Sequence, residues 1–127
     1  MNDPYDGDSG IELGKYAIDG DIYNVKRLLK ENNRYIKQNS LNKALIKASY
    51  IGNEEIVKLL IDAGACVNSS YNFPIIIILD AKKNHKNVSK RMLESINSGN
   101  RFTSLLCAEL MGNNKIVDIL KDNGAKC

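Results

Sequence analysis

The feature that most constrains this chain is that it repeats itself. Lys43 to Ala65 aligns without a gap on Thr103 to Ala125, with identities at Leu45/Leu105, Ala48/Ala108, Gly52/Gly112, Asn53/Asn113, Ile56/Ile116, Val57/Val117, Leu60/Leu120, Gly64/Gly124 and Ala65/Ala125. The two copies are therefore offset by sixty positions. A looser version of the scheme, Leu13, Ala17, Gly20-Asp21, Val25, Leu28 and Leu29, stands thirty-two positions ahead of Leu45, Gly52-Asn53, Val57, Leu60 and Ile61. A chain written in copies of one short unit is restricted to architectures in which each copy buries its apolar face against its neighbours.

Each unit reads as two short amphipathic helices joined by a turn. Gly52 and Gly112, each followed by Asn, stand where a first helix ends and a positive φ is wanted, and Gly64 and Gly124 end second helices in the same way. Ala44, Ala48, Ser49 and Ala108 suit close approach of first helices. The bulkier Ile56, Val57, Leu59, Leu60 and Ile116, Val117, Ile119, Leu120 of the second helices are expected to supply most of the buried area.

An offset of sixty, twice a unit of thirty, predicts an intervening copy that starts at Phe73-Pro74-Ile75. Its first helix would run from Pro74 to about Lys82, with proline near the first helical position, where its missing N–H costs nothing. A turn over Lys82 to Lys86 and a second helix from about Asn87 to Ser98, with Val88, Met92, Leu93 and Ile96 on one stripe, would follow. The expected organisation is a flexible acidic arm over residues 1–10 and four units at about 11–42, 43–72, 73–102 and 103–127.

The run from Ala44 to Asn68, Ala-Leu-x-x-Ala-x-x-x-Gly-Asn-x-Glu-Ile-Val-Lys-Leu-Leu-Ile-x-x-Gly-Ala-x-Val-Asn, resembles an ankyrin repeat, and the resemblance extends over about residues 11–127. It implies an all-α, ankyrin-type solenoid of stacked helix-turn-helix repeats, with the first and last units as caps. The family period is about 33 residues, so units of thirty or thirty-two imply short fingers between the second helix of one unit and the first helix of the next. The usual Thr-Pro-Leu-His opening is reduced to Lys43-Ala-Leu-Ile, Phe73-Pro-Ile-Ile and Thr103-Ser-Leu-Leu. The resemblance further implies a non-catalytic module that binds another protein through the concave groove of its first helices and fingers.

Composition excludes more than it selects. With 127 residues, 43% hydrophobic and 26% charged, the chain fits one soluble globular domain, and a net charge of +3 does not by itself call for nucleic acid or an acidic membrane. The start, MNDPYDGDSG, is acidic and polar, unlike a secretory signal, and the longest apolar run, Ile75 to Leu79, is too short to span a bilayer. A cytoplasmic location, or delivery into a host cell, is the expectation. Cys66, Cys107 and Cys127 lack a Cys-x-x-Cys spacing and His85 is the single histidine, so neither a metal nor another cofactor is expected. Gly7 and Gly10 lack the Gly-Lys-Ser/Thr that would complete a phosphate loop, and Asp3, Asp6 and Asp8 lack the spacing and closing glutamate of a calcium loop. No catalytic constellation emerges, and an enzyme is not expected.

The candidate site lies in the implied groove, where the two positions before each turn glycine point. These are Ile18 and Asp19, Tyr50 and Ile51, Asp80 and Ala81, and Leu110 and Met111. Tyr35, Tyr71 and Phe102 in the connecting segments would extend the patch. Two readings stay open: an apolar surface for a partner protein, with the chain monomeric until it binds, or Ile51 and Met111 folded back as core. A different class of function, a structural or anionic-ligand scaffold for nucleic acid or phospholipid, would use the basic cluster Lys82, Lys83, Lys86, Lys90 and Arg91. No aromatic stacking platform is interleaved with that cluster. Because the second helices carry the core in this scheme, Leu60→Ala or Leu120→Ala should lower stability by about 2–5 kcal/mol, measured as a reduced urea midpoint.

Overall fold

A computed structural model of the chain describes residues 4–31, 35–72 and 101–125, with side chains over 10–31, 35–71 and 102–125. Six helices and two strands occupy them. α1 spans Pro4–Asp19, α2 Ile22–Glu31, α3 Gln38–Ile51, α4 Glu54–Asp62, α5 Ser104–Leu110 and α6 Asn114–Asp122, with β1 at Ser70–Asn72 and β2 at Arg101–Thr103. α1 begins inside the stretch expected to be a flexible arm. Proline at its first position has its φ already set for a helix and gives up no intrahelical hydrogen bond there.

The repeat has one local cause, written three times. The backbone N–H groups of Asp21, Asn53 and Asn113 donate to the carbonyls of Tyr16, Ala48 and Ala108 at 2.9, 3.2 and 2.9 Å. The glycine inside each closure has positive φ: 73° at Gly20, 94° at Gly52 and 70° at Gly112. A side chain there would be strained, which is why the turn is legible as Gly-Asn or Gly-Asp. The polar residue after the glycine then starts the next helix: the carboxylate or amide oxygens of Asp21, Asn53 and Asn113 accept from the N–H groups of Asn24, Ile56 and Ile116 at 3.1, 3.0 and 3.5 Å.

α1, α3 and α5 form an inner layer and α2, α4 and α6 an outer one. Inner helices touch in the order α1, α3, α5, and outer helices in the order α2, α4, α6. The main core runs between the layers, from Leu13, Ala17, Val25 and Leu28 through Leu45, Ile56 and Leu60 to Leu105, Ile116 and Leu120, all buried. Of the eleven largest fully buried side chains, seven (Val25, Leu28, Ile56, Val57, Leu60, Ile116 and Leu120) belong to the outer helices. The second helices therefore carry most of the large apolar volume, and Ala44, Ala48, Ser49 and Ala108, buried in the inner layer, let its helices approach.

The described helices also fix an order of stacking. The two most similar copies, beginning at Lys43 and Thr103, are immediate neighbours: α3 packs on α5 and α4 on α6. The Asn113 side-chain amide donates to the Gly52 carbonyl at 3.3 Å, and that of Asn68 to the Gly124 carbonyl at 3.0 Å. Among the described residues nothing stands between them. β1 and β2 pair antiparallel, Ser70 with Thr103, Tyr71 with Phe102 and Asn72 with Arg101, so they form the base of the finger between adjacent layers. Residues 73–100 are inserted between those paired strands. Without that segment the offset between the copies falls to thirty-two, the same as between the first unit and the second. The helices expected at Pro74 to Lys82 and Asn87 to Ser98 lie outside the described residues.

Because Asn72 and Arg101 are cross-strand partners, a two-residue type I′ turn can join them. Replacing residues 73–100 with Asn-Gly should leave a folded stack. Circular dichroism should retain the helical signal with cooperative melting, and a molten or unfolded product would contradict direct stacking.

Candidate functional site

The inner helices and the finger base bound a groove whose two halves differ. Between α3 and α5 the groove side is packed. Ile46, Phe102, Leu106, Cys107 and Leu110 form a second, smaller buried cluster, with Tyr50, Tyr71 and Met111 packed against it. Phe102 is 3% exposed and Leu110 7%, so neither is open to a partner. Phe102 is drawn in because β2 lays it beside α5, and Leu110 because α5 is short and ends on its own apolar face. Tyr50, Tyr71 and Met111 remain half-buried at the margin. Between α1 and α3 the surface is open. Ile18 is 42% exposed, Ile51 45% and Ile11 71%, and Asp19 is exposed beside Ile18. Asp80 and the basic cluster from Lys82 to Arg91, with His85, lie outside the described residues.

A polar network fixes the finger to α3. Asn42 is 4% exposed, yet its side chain is well used. Its oxygen accepts from the Cys66 backbone N–H at 2.7 Å and from Gln38 Nε2 at 2.9 Å, and its amide donates to the Tyr71 hydroxyl at 3.3 Å. The Tyr71 hydroxyl in turn donates to Asn39 Oδ1 at 3.0 Å, and Gln38 Nε2 also donates to the Gly64 carbonyl at 2.8 Å. Lys43 Nζ lies 5.3 Å from the centre of the Tyr71 ring, within cation–π range. Tyr71, a candidate contact residue, is thus held by Asn39, Asn42 and Lys43 of one helix.

Where α1 crosses α3, Gly10 and Gly14 present bare backbone to Ser40 and Lys47. A Cβ at Gly10 would collide with the Ser40 hydroxyl and stand 2.7 Å from its Cβ; one at Gly14 would stand 2.9 Å from Lys47 Nζ. The crossing leaves a cleft of about 220 Å³ lined by Gly10, Ile11, Gly14, Ser40, Lys43 and Lys47. Burial, and secondarily the neighbouring Lys43 charge, pulls the Lys47 ammonium below the usual lysine range. The cleft has no counterpart among the sequence expectations, in which Gly10 figures only as part of an incomplete phosphate loop. The signal that could have found it is the Gly10/Gly14 spacing of four, which puts both on one helical face.

The thiols divide by environment. Cys107, buried in the second cluster, is pushed up to about 12 by desolvation, whereas exposed Cys66 is drawn down by the Ser69 side chain and neighbouring backbone groups. Among the described residues no group of three or more His, Cys, Asp or Glu side chains is arranged to hold a metal ion. No helix among them is long and apolar enough to cross a membrane.

Comparison with known proteins agrees with this geometry over one unit. Residues 41–72, which hold most of α3, all of α4 and β1, match the family model of the ankyrin repeat. No curated protein and no solved structure matches the chain. The matched segment contains Asn42, Cys66 and Tyr71, so the network holds the repeat's own finger. Asn42→Ala leaves the Cys66 N–H and the Tyr71 hydroxyl short of a partner, and should cost about 1–3 kcal/mol in urea unfolding. Exchange of the Cys66 amide proton should accelerate in the same variant.

Proposed function

We propose that this chain is a non-catalytic protein-binding module that takes a partner on the α1–α3 half of its groove. Ankyrin repeats in general mediate binding to other proteins, and the match over residues 41–72 brings that reading to this chain. The observation that carries the placement is the exposure of Ile18 and Ile51. Both sit at the end of an inner helix, just before the turn glycines Gly20 and Gly52, and Ile11 continues the apolar surface along α1. The same chain buries Val25, Leu28, Leu45, Ile56 and Leu60 completely, so it has core places for aliphatic side chains and leaves these outside. Large aliphatics left exposed on two adjacent helices favour desolvation by a partner.

In this reading Ile18, Asp19 and Ile51 are direct contacts, with Tyr50, Tyr71 and Met111 at the edge. Phe102 and Leu110 act through packing. The chain is monomeric before it binds, requires no cofactor and works as an inhibitor, adaptor, immunity-type protein or effector in the cytoplasm of its own or a host cell.

Exposed positions tolerate substitution, so Ile18→Asp with Ile51→Asp should change stability by no more than about 0.5 kcal/mol per site. The double variant, compared with wild type in pull-downs from native cell extract, should lose the partner that wild type retains. Equal recovery of that partner by both proteins would remove the α1–α3 face from the binding site.

A further inference from the structure

We propose that the cleft between α1 and α3 is a carboxylate subsite of the groove, taking an Asp or Glu side chain from the docking segment of the partner protein. This rests on the protein-binding reading above and adds to it the chemistry of the partner.

The cleft is built for a small group that accepts hydrogen bonds. Its floor and one wall are the backbone at Gly10 and Gly14, which bear no Cβ and lie against the Ser40 hydroxyl and the Lys47 ammonium. Its other wall is one face of α3, on which Ser40, Lys43 and Lys47 follow at intervals of three and four residues and so align. All three carry donors, and none of the six lining residues is an acid.

Neither lysine of the cleft has an ion-pair partner among the described side chains, where the ion pairs are Lys26 with Glu55 at 3.3 Å and Arg27 with Glu31 at 3.7 Å. Lys43 rests on the Tyr71 ring, and Lys47 is half-buried with its ammonium over Gly14. Two ammonium groups on one helical face, one of them partly desolvated, repel each other and are stabilised together by one anion between them.

The surroundings select the source of that anion. Ile11 is part of the cleft wall, and Ile18 and Ile51 lie exposed at the ends of the same two helices. A free hydrated anion gains nothing from such neighbours, whereas an acidic side chain presented by an otherwise apolar segment buries apolar surface and places its charge between the lysines in one event. A volume of about 220 Å³ accommodates one such side chain.

The test is selection of peptides from a phage-displayed random library on the full chain, followed by fluorescence anisotropy of a selected peptide and of its copy with the acid replaced by the amide. Selected peptides should carry Asp or Glu at one position flanked by apolar residues. Lys47→Met should weaken the acidic peptide about tenfold and leave the amide copy nearly unchanged, as expected for loss of one partly buried charge contact. Gly14→Ala, whose Cβ would displace the flexible end of Lys47 rather than backbone, should do the same while raising helix propensity. Thermal melting checks both variants.

Peptides that lack an acid but are lost with Ile18→Asp and Ile51→Asp would remove the carboxylate subsite and leave the groove reading standing. Peptides insensitive to those isoleucine variants and to Lys47→Met would overturn both readings, as would failure to enrich any peptide over an unrelated control protein. If inorganic phosphate or acetate displaces the peptide while the amide copy binds as tightly as the acid, the cleft is a small-anion site and the proposal falls.

Discussion

Everything in this structure depends on how closely the inner helices approach one another. α1, α3 and α5 carry Gly10, Ala44, Ala48, Ser49 and Ala108, buried small residues that keep the inner layer thin and leave most of the large aliphatics to the outer helices. Ser49 shows the rule at its tightest. Its hydroxyl is buried but bonded to the Leu45 carbonyl at 2.8 Å, so a polar residue is tolerated where a larger apolar one would separate the layers. Thin inner contacts bring the three glycine turns into line, and the aligned turns let Asn113 reach the Gly52 carbonyl of the next unit. Loss of that spacing would cost the turn ladder and the outer core together.

The turns and the core are legible in the sequence because each has a local or periodic cause. Positive φ at Gly20, Gly52, Gly64, Gly112 and Gly124 writes itself as glycine, and the spacing of Ile56, Val57 and Leu60 writes a buried stripe. Stacking order has no such local signature. An offset of sixty is satisfied equally by two units in series and by one unit of thirty-two with residues 73–100 added, and the contacts between the second and last copies, with the pairing of Tyr71 and Phe102, are what make them neighbours.

The site is less legible than the fold, for a related reason. Position before a turn glycine predicts that a side chain points to the groove, but exposure there depends on what the finger does. β2 brings Phe102 onto α5, and the small cluster that results buries Leu110 and half-covers Met111, whereas on α1 and α3 the corresponding Ile18 and Ile51 stay open. Asn42 is invisible in the sequence because its role is to accept from the Cys66 N–H and to meet Tyr71, contacts 24 and 29 residues away along the chain. Gly10 and Gly14 carry a signal, a spacing of four on an otherwise amphipathic helix. It becomes interpretable once α3 is known to cross there.

The asymmetry of the groove carries a consequence for recognition. Its α3–α5 half is fixed, since Tyr71 is bonded to Asn39 and Asn42, lies beneath Lys43 and pairs with Phe102. A surface pinned in this way loses little side-chain freedom when something docks against it, so it suits a rigid edge. The α1–α3 half carries Lys43 and Lys47 along the cleft at Gly10 and Gly14, with isoleucines exposed at its rim. Two adjoining surfaces of different character therefore meet along α3, one tied to the finger by hydrogen bonds and one lined by lysines with isoleucines at its rim. The one helix that faces both is α3, most of which lies within the segment that matches the ankyrin repeat.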